Sequence, residues 1–197
     1  MNAPPHRHPR PPVWDRFVRF FHWSLVACFG TAWWFTEHIG LLHKGAGYAA
    51  AALVLARVVW GFIGSPNARF ANFVPGPRGL LHYLGLLLRG REPVHTGHNP
   101  AGAVMILFLL VAVTGIAVSG WMLTLDAFWG NEWVETTHTR LVDLTVAAVF
   151  VHVLANLYGS RHPGNGLIRA MITGHKSPPP AKPSPCTRTD TPSSSAS

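Results

Sequence analysis

The chain has 197 residues, of which 48% are hydrophobic and only 12% charged, with a net charge of +8. Soluble domains carry about 25% charged residues, so this balance speaks against a soluble domain and for a membrane protein. The basic residues flank apolar runs instead of lining one amphipathic face, which argues against a nucleic-acid binder. The two cysteines, Cys28 and Cys186, form no CxxC or CxxCH, which argues against a covalent c-type haem, a thiolate-held cluster or a disulfide framework.

In chain order, residues 1–13 (MNAPPHRHPRPPV) are proline-rich and basic and read as a disordered cytoplasmic arm. The first apolar run, FVRFFHWSLVACFGTAWWFT, is too long and too aromatic for the core of a signal peptide, and no A-x-A site follows it. It is expected to stay as a membrane helix over about residues 17–37. A second run predicts a helix over about 45–63, stopped by Gly64, Ser65, Pro66 and Asn67. In Pro77–Leu88, Leu80, Leu81, Leu84, Leu87 and Leu88 fall at helical spacing, which suits a helix lying along the membrane surface. A stretch rich in Pro, Gly and His, 92–102, leads to a third helix over about 103–125. The connection DAFWGNEWVETT, 126–137, is acidic and aromatic, and the fourth helix is expected over about 138–159. Beyond Lys176 the low-complexity residues 177–197 read as a disordered tail. The fold class is all-α: one four-helix transmembrane bundle, with the membrane domain covering 14–176.

Thirteen of the sixteen Lys and Arg residues flank the start of helix one, the connection between helices two and three, and the end of helix four. By the positive-inside rule both termini of this multi-pass chain are cytoplasmic, and the 126–137 connection faces the periplasm. Eight tryptophans suit the two membrane interfaces.

The informative stretch is HTRLVDLTVAAVFVH, from His138 to His152. Fourteen steps of 100° fall 40° short of four turns, so both imidazoles leave nearly one face, about 21 Å apart along the axis. His22 lies near the cytoplasmic start of helix one and His43 at the periplasmic entry of helix two. The four sort by depth into His22 with His152 and His43 with His138. Two facing imidazoles at one depth are the ligand set for a six-coordinate haem iron that transfers electrons, and ionisable residues inside a membrane are functional candidates. His38 is a neighbour that could replace His43. His82, His95 and His98 read as solvated, and His6, His8, His162 and His175 lie in basic segments. Gly45, Gly47, Gly115 and Gly120 suit either a macrocycle pressed on backbone or close helix packing. Arg57, inside helix two, suits a haem propionate or a snorkel to the surface; Arg16 and Arg19 suit a propionate of the inner haem.

The segments VWDRFVRFFHW, HKGAGYAAAALVLARVVWGFIG, ARFANFVPGPRG, GHNPAGAVM and LIRAMITG, in this order, resemble the bacterial cytochrome b561 family, in the branch related to the b-type cytochrome subunit of nickel–iron hydrogenases. The resemblance covers about residues 13–176. It implies a four-helix membrane bundle with two non-covalent b haems, with iron ligands at His22, His43, His138 and His152, and with Gly47 and Arg57 keeping the family spacing of helix two. Lys44 departs from the acidic residue often found there. The expected function is a di-haem b-type cytochrome of the respiratory chain, passing electrons between the quinone pool and a redox partner such as a c-type cytochrome or a hydrogenase. One alternative is a quinone oxidoreductase acting on superoxide, with Lys44 and Arg140 attracting the anion. Another is a haem-free metal transporter using the histidine pairs.

Overall fold

The computed structural model describes residues 14–35, 40–74, 76–89, 100–161 and 166–175. The arm 1–13, the tail 177–197 and His6, His8, His38, His95, His98 and His162 lie outside these residues. Among the described residues all regular structure is helical: α1 Arg16–Trp34, α2 Gly40–Ile63, α3 Phe70–Phe73, α4 Pro77–Leu88, α5 Pro100–Met122, α6 Glu132–Ser160 and α7 Leu167–Thr173, with one 3-10 turn at Asp126–Phe128.

Three of the long helices start where their sequence can satisfy or spare free N–H groups. Asp15 caps α1 by accepting the Val18 N–H at 2.7 Å. Pro100 opens α5, a position where its missing N–H costs nothing. Asn131 caps α6, accepting the N–H groups of Trp133 and Val134, and Glu132 and Glu135 in the first turn complement the helix dipole. That cap corrects the expected fourth helix. It starts at Glu132 instead of His138, so residues 132–137 of the expected connection are helix. At 29 residues α6 is about 43 Å long. α2 also starts earlier, at Gly40. α5 is displaced toward the N-terminus from the expected 103–125, and α1 ends at Trp34.

Helices α2, α5 and α6 are long and apolar enough to cross a membrane. α1 has 19 residues, but Arg19, His22 and the indoles of Trp23, Trp33 and Trp34 lower its hydropathy. Large apolar side chains point outward along these helices, such as Leu41 at 82% and Val111 at 72% exposure. A face of this kind suits lipid as its solvent.

α1 packs on α2, α2 on α5 and α5 on α6, while α1 and α6 do not pack closely. The core joins the first three: Phe21 of α1, Val54 of α2, and Leu110 and Val113 of α5, with Phe17, Leu25, Leu53, Val58, Phe70 and Ile106 against them. Lipid tails are as apolar as these side chains, so within a bilayer such a core holds by close packing more than by escape from water. The Phe70 ring fits against Gly61, where any Cβ would collide with it, and this seats α3 on α2.

α7 lies under the opposite edge. It packs on α6, and its last carbonyls are bound from α1: Arg19 Nη2 donates to Ile172 O, and Trp23 Nε1 donates to Met171 O at 3.4 Å. Gly174, at φ 86°, closes α7 through its N–H to Ala170 O. α7 therefore bridges the two helices that do not pack on each other, at the arginine-rich end of the bundle.

Candidate functional site

The four histidines lie on three helices: His22 on α1, His43 on α2, and His138 and His152 on α6. All four are half-buried.

His43 and His138 come together edge-on, with ring centroids 6.2 Å apart and planes at 69°. His43 Nδ1 lies 2.8 Å from Ala32 O of α1. His138 Nδ1 lies 3.1 Å from Ile116 O and 3.0 Å from Ser119 Oγ, both on α5. A carbonyl oxygen only accepts, so each Nδ1 carries the proton and each Nε2 keeps its lone pair. Ser119 is itself oriented by donating to Gly115 O at 2.8 Å. Gly120 makes room for the ring: a Cβ there would sit 3.0 Å from His138 Cε1.

The second pair is held differently. His22 and His152 are close enough to interact electrostatically. The buried His22 Nδ1 has no hydrogen-bond partner, and its ring meets Trp23 edge-on at 5.1 Å. His152 Nε2 lies 3.3 Å from the amide nitrogen of Asn156, which also donates to His152 O at 2.7 Å.

The other candidates separate. Gly45 and Gly47 have open space where a Cβ would stand, whereas Gly115 and Gly120 are filled by Leu141 and His138 of α6. The last two are thus close-packing positions. Arg57 is 3% exposed and does not snorkel. It donates through Nη2 to Ala68 O at 3.2 Å and covers the Phe70 ring at 5.1 Å, leaving the buried Nη1 unpartnered. Arg19 is engaged with α7, with its Nε buried and unpartnered, and Arg16 is exposed. His82 and His175 are exposed. The indole N–H of Trp60, in the last turn of α2, binds Asp15.

Sequence reasoning passed over Ser119, Asn156 and Asp15. A Ser beside Gly120 in an apolar helix, and an Asp directly before an apolar run, were signals for the first and third. Asn156 had one too, standing four residues after a candidate ligand.

The donor set fits a macrocycle-bound iron. A metal–nitrogen bond of about 2 Å on each side, plus about 1 Å from nitrogen to ring centre, puts two axial imidazoles about 6 Å apart. Among the described residues no three His, Cys, Asp or Glu gather into a metal site. Two imidazoles suit an iron whose other ligands come from a porphyrin, and fall short of the four ligands of a structural zinc site.

Comparison with known proteins agrees in kind. The family model for prokaryotic cytochrome b561 matches residues 13–174. Two relatives are each described as a probable Ni/Fe-hydrogenase B-type cytochrome subunit. The one from Rhizobium leguminosarum bv. viciae is 25% identical over 167 residues, covering 71% of this chain and 69% of the relative. The one from Bradyrhizobium diazoefficiens is 27% identical over 167 residues, covering 71% and 66%. The chain thus spans about two thirds of these relatives' lengths. No solved structure matches. With helices long and apolar enough for a membrane and histidines gathered between them, the chain belongs to the prokaryotic cytochrome b561 family, the membrane b-type cytochromes of electron transfer.

Proposed function

We propose that the protein is a di-haem b-type cytochrome of the bacterial inner membrane, with His22 and His152 ligating an inner haem and His43 and His138 an outer one. In this reading α1 is the fourth span of the bundle, and both termini are cytoplasmic. The observation that carries the proposal is the 6.2 Å spacing of His43 and His138, with both Nδ1 atoms already engaged. Each Nε2 is thereby left to a metal, as is usual when a second hydrogen bond orients a ligating histidine.

Haem, when bound, supplies a one-electron couple, and the protein supplies position and dielectric. The carbonyls of Ala32 and Ile116 and the Ser119 hydroxyl orient the outer imidazoles and raise their basicity. Gly45 and Gly47 leave backbone exposed for a flat group. Arg57 Nη1 is a buried donor suited to a propionate, and the buried placement of the guanidinium supports that role. α6 carries one ligand of each pair, so its rigidity fixes the separation of the two levels at about 21 Å along the helix.

The partners we infer are the quinone pool and a redox protein, either a hydrogenase, in line with the names of the relatives, or a c-type cytochrome. A groove at the start of α6, lined by Glu132, Glu135, Thr136, Thr139, Arg140 and Asp143, carries three carboxylates to one guanidinium and suits a basic partner. The same groove weakens the superoxide reading, because Arg140 is surrounded by the charge that would repel an anion.

The purified protein should give a reduced b-type spectrum with two haems per chain. Alanine at His22 or His152 should remove one haem, and alanine at His43 or His138 the other. Four single variants that all kept both haems would overturn the assignment.

A further inference from the structure

At the arginine-rich end, a polar cluster forms that neither histidine pair uses. Asp15 is its centre. Oδ1 accepts the Val18 N–H at 2.7 Å, within α1. Oδ2 accepts the indole N–H of Trp60 at 3.1 Å, from the last turn of α2, and the hydroxyl of Ser65, in the segment that follows. Arg57, one turn before Trp60, adds its positive charge, and the rings of Phe17 and Trp60 lie 4.7 Å apart. One half-buried carboxylate thus ties the start of α1 to the end of α2 and to the chain beyond it. Burial acts to raise the carboxyl, but the hydrogen bonds from Ser65, Val18 and Trp60 and the charge of Arg57 outweigh it and hold the group below its ordinary range. It therefore stays ionised at neutral pH, which strengthens each bond it accepts.

His22 stands seven residues after Asp15. Seven steps of 100° fall 20° short of two turns, so both leave nearly one face of α1, about 10 Å apart along the axis. The rings of His43 and His138 are oriented by bonds to neighbouring backbone, whereas the buried Nδ1 of His22 has no such bond. The direction of the His22 imidazole is then inherited from the rotation and depth of α1 itself. Both are pinned at Asp15, where donors from outside α1 converge.

We propose that Asp15 is a positioning residue for His22: its cap fixes the rotation and depth of α1 and so aims the His22 imidazole toward His152. This rests on the di-haem reading above. Asp15 touches neither the ligand ring nor the metal. It acts through seven residues of helix, and its effect is local to the inner level.

The test uses the full-length, haem-loaded protein, with redox titration and low-temperature EPR resolving the two haems. The inner signal is identified as the one lost in His22→Ala. Asp15→Ala and Asp15→Asn should shift the potential and EPR signature of that signal alone, and the inner haem should leave about tenfold faster. The outer signal should stay fixed. Trp60→Phe and Ser65→Ala, each removing one donor, should give smaller shifts of the same signal, and they provide the answer if the Asp15 variants do not assemble. Unchanged inner signals, or equal shifts of both haems, would overturn the positioning role. A wild-type protein with fewer than two haems would overturn the di-haem reading itself, and this inference with it.

Discussion

The two histidine pairs differ in what holds them. At the outer level, His43 and His138 are fixed ring by ring, each Nδ1 bonded to a backbone carbonyl of another helix. At the inner level, His22 has no ring bond and the Nε2 of His152 faces the amide of Asn156. The outer site is therefore organised by its neighbours, and the inner one by the setting of whole helices. The contrast teaches that two pairs of the same residue type need not be equally prepared. A residue next to the ring controls one site, and a residue two turns away controls the other.

The sharpest way to break the outer site is to remove the room its ring occupies. Gly120→Val places branched bulk where a single Cβ already comes within 3.0 Å of His138 Cε1. The ring must swing away, and the variant is expected to hold one haem per chain, the inner one, by haem-to-protein ratio. Retention of both haems would show that His138 is not seated by Gly120. Ser119→Ala should do less. The Ile116 carbonyl still orients the ring, so outer-haem affinity should fall about tenfold, the low end for loss of an outer hydrogen bond to a ligand.

At the inner level the sign should reverse. Asn156 competes for the lone pair of His152, so Asn156→Ala is expected to bind the inner haem about threefold more tightly, the effect of one long hydrogen bond. Weaker binding in haem titration would mean that Asn156 supports His152 instead. The smallest effect is with pH. The folded-state carboxyl of Asp15 is depressed, so its stabilisation is fully present above the ordinary carboxylate value, about pH 4, and is lost as pH falls through the lower folded value. The inner EPR signal should hold steady from pH 7 to about 4 and change below, and Asp15→Asn should remove that acid transition. An acid transition of the same size in the variant would assign it to another group.

Much of this was legible in the sequence, and the reasons are physical. Long apolar runs announce helices whatever packs against them, and the amphipathic run Pro77–Leu88 gave the bounds of α4. That His43 and His138 share a level follows from counting residues along two helices that the chain enters from the same end. Helix starts were harder, because Asn131 sits in a polar stretch that reads as a loop until its side chain is seen capping two N–H groups. The glycines were half-legible: small size shows that something approaches, while only the fold says whether it is Leu141, His138 or open space. Ring orientation was not legible at all. It depends on carbonyls of Ala32 and Ile116, which every residue type possesses. Arg57 was legible as exceptional, but the contacts that engage it, Ala68 and Phe70, come from a turn and a short helix the sequence does not place.

The strap made by α7 bears on the order of assembly. The bond from Arg19 to Ile172 joins residues 153 positions apart. During synthesis α1, α2 and α5 can meet early, but the bonds from Arg19 and Trp23 to α7 cannot form until the chain has been made through Thr173. Contacts this distant in sequence form late, after the entropy of the intervening loop has been overcome. α1 and α6 are therefore bridged only after every helix that carries one of the four histidines has been made. Once α7 docks, it is held from both sides of the gap at once, by α6 through packing and by α1 through Arg19 and Trp23.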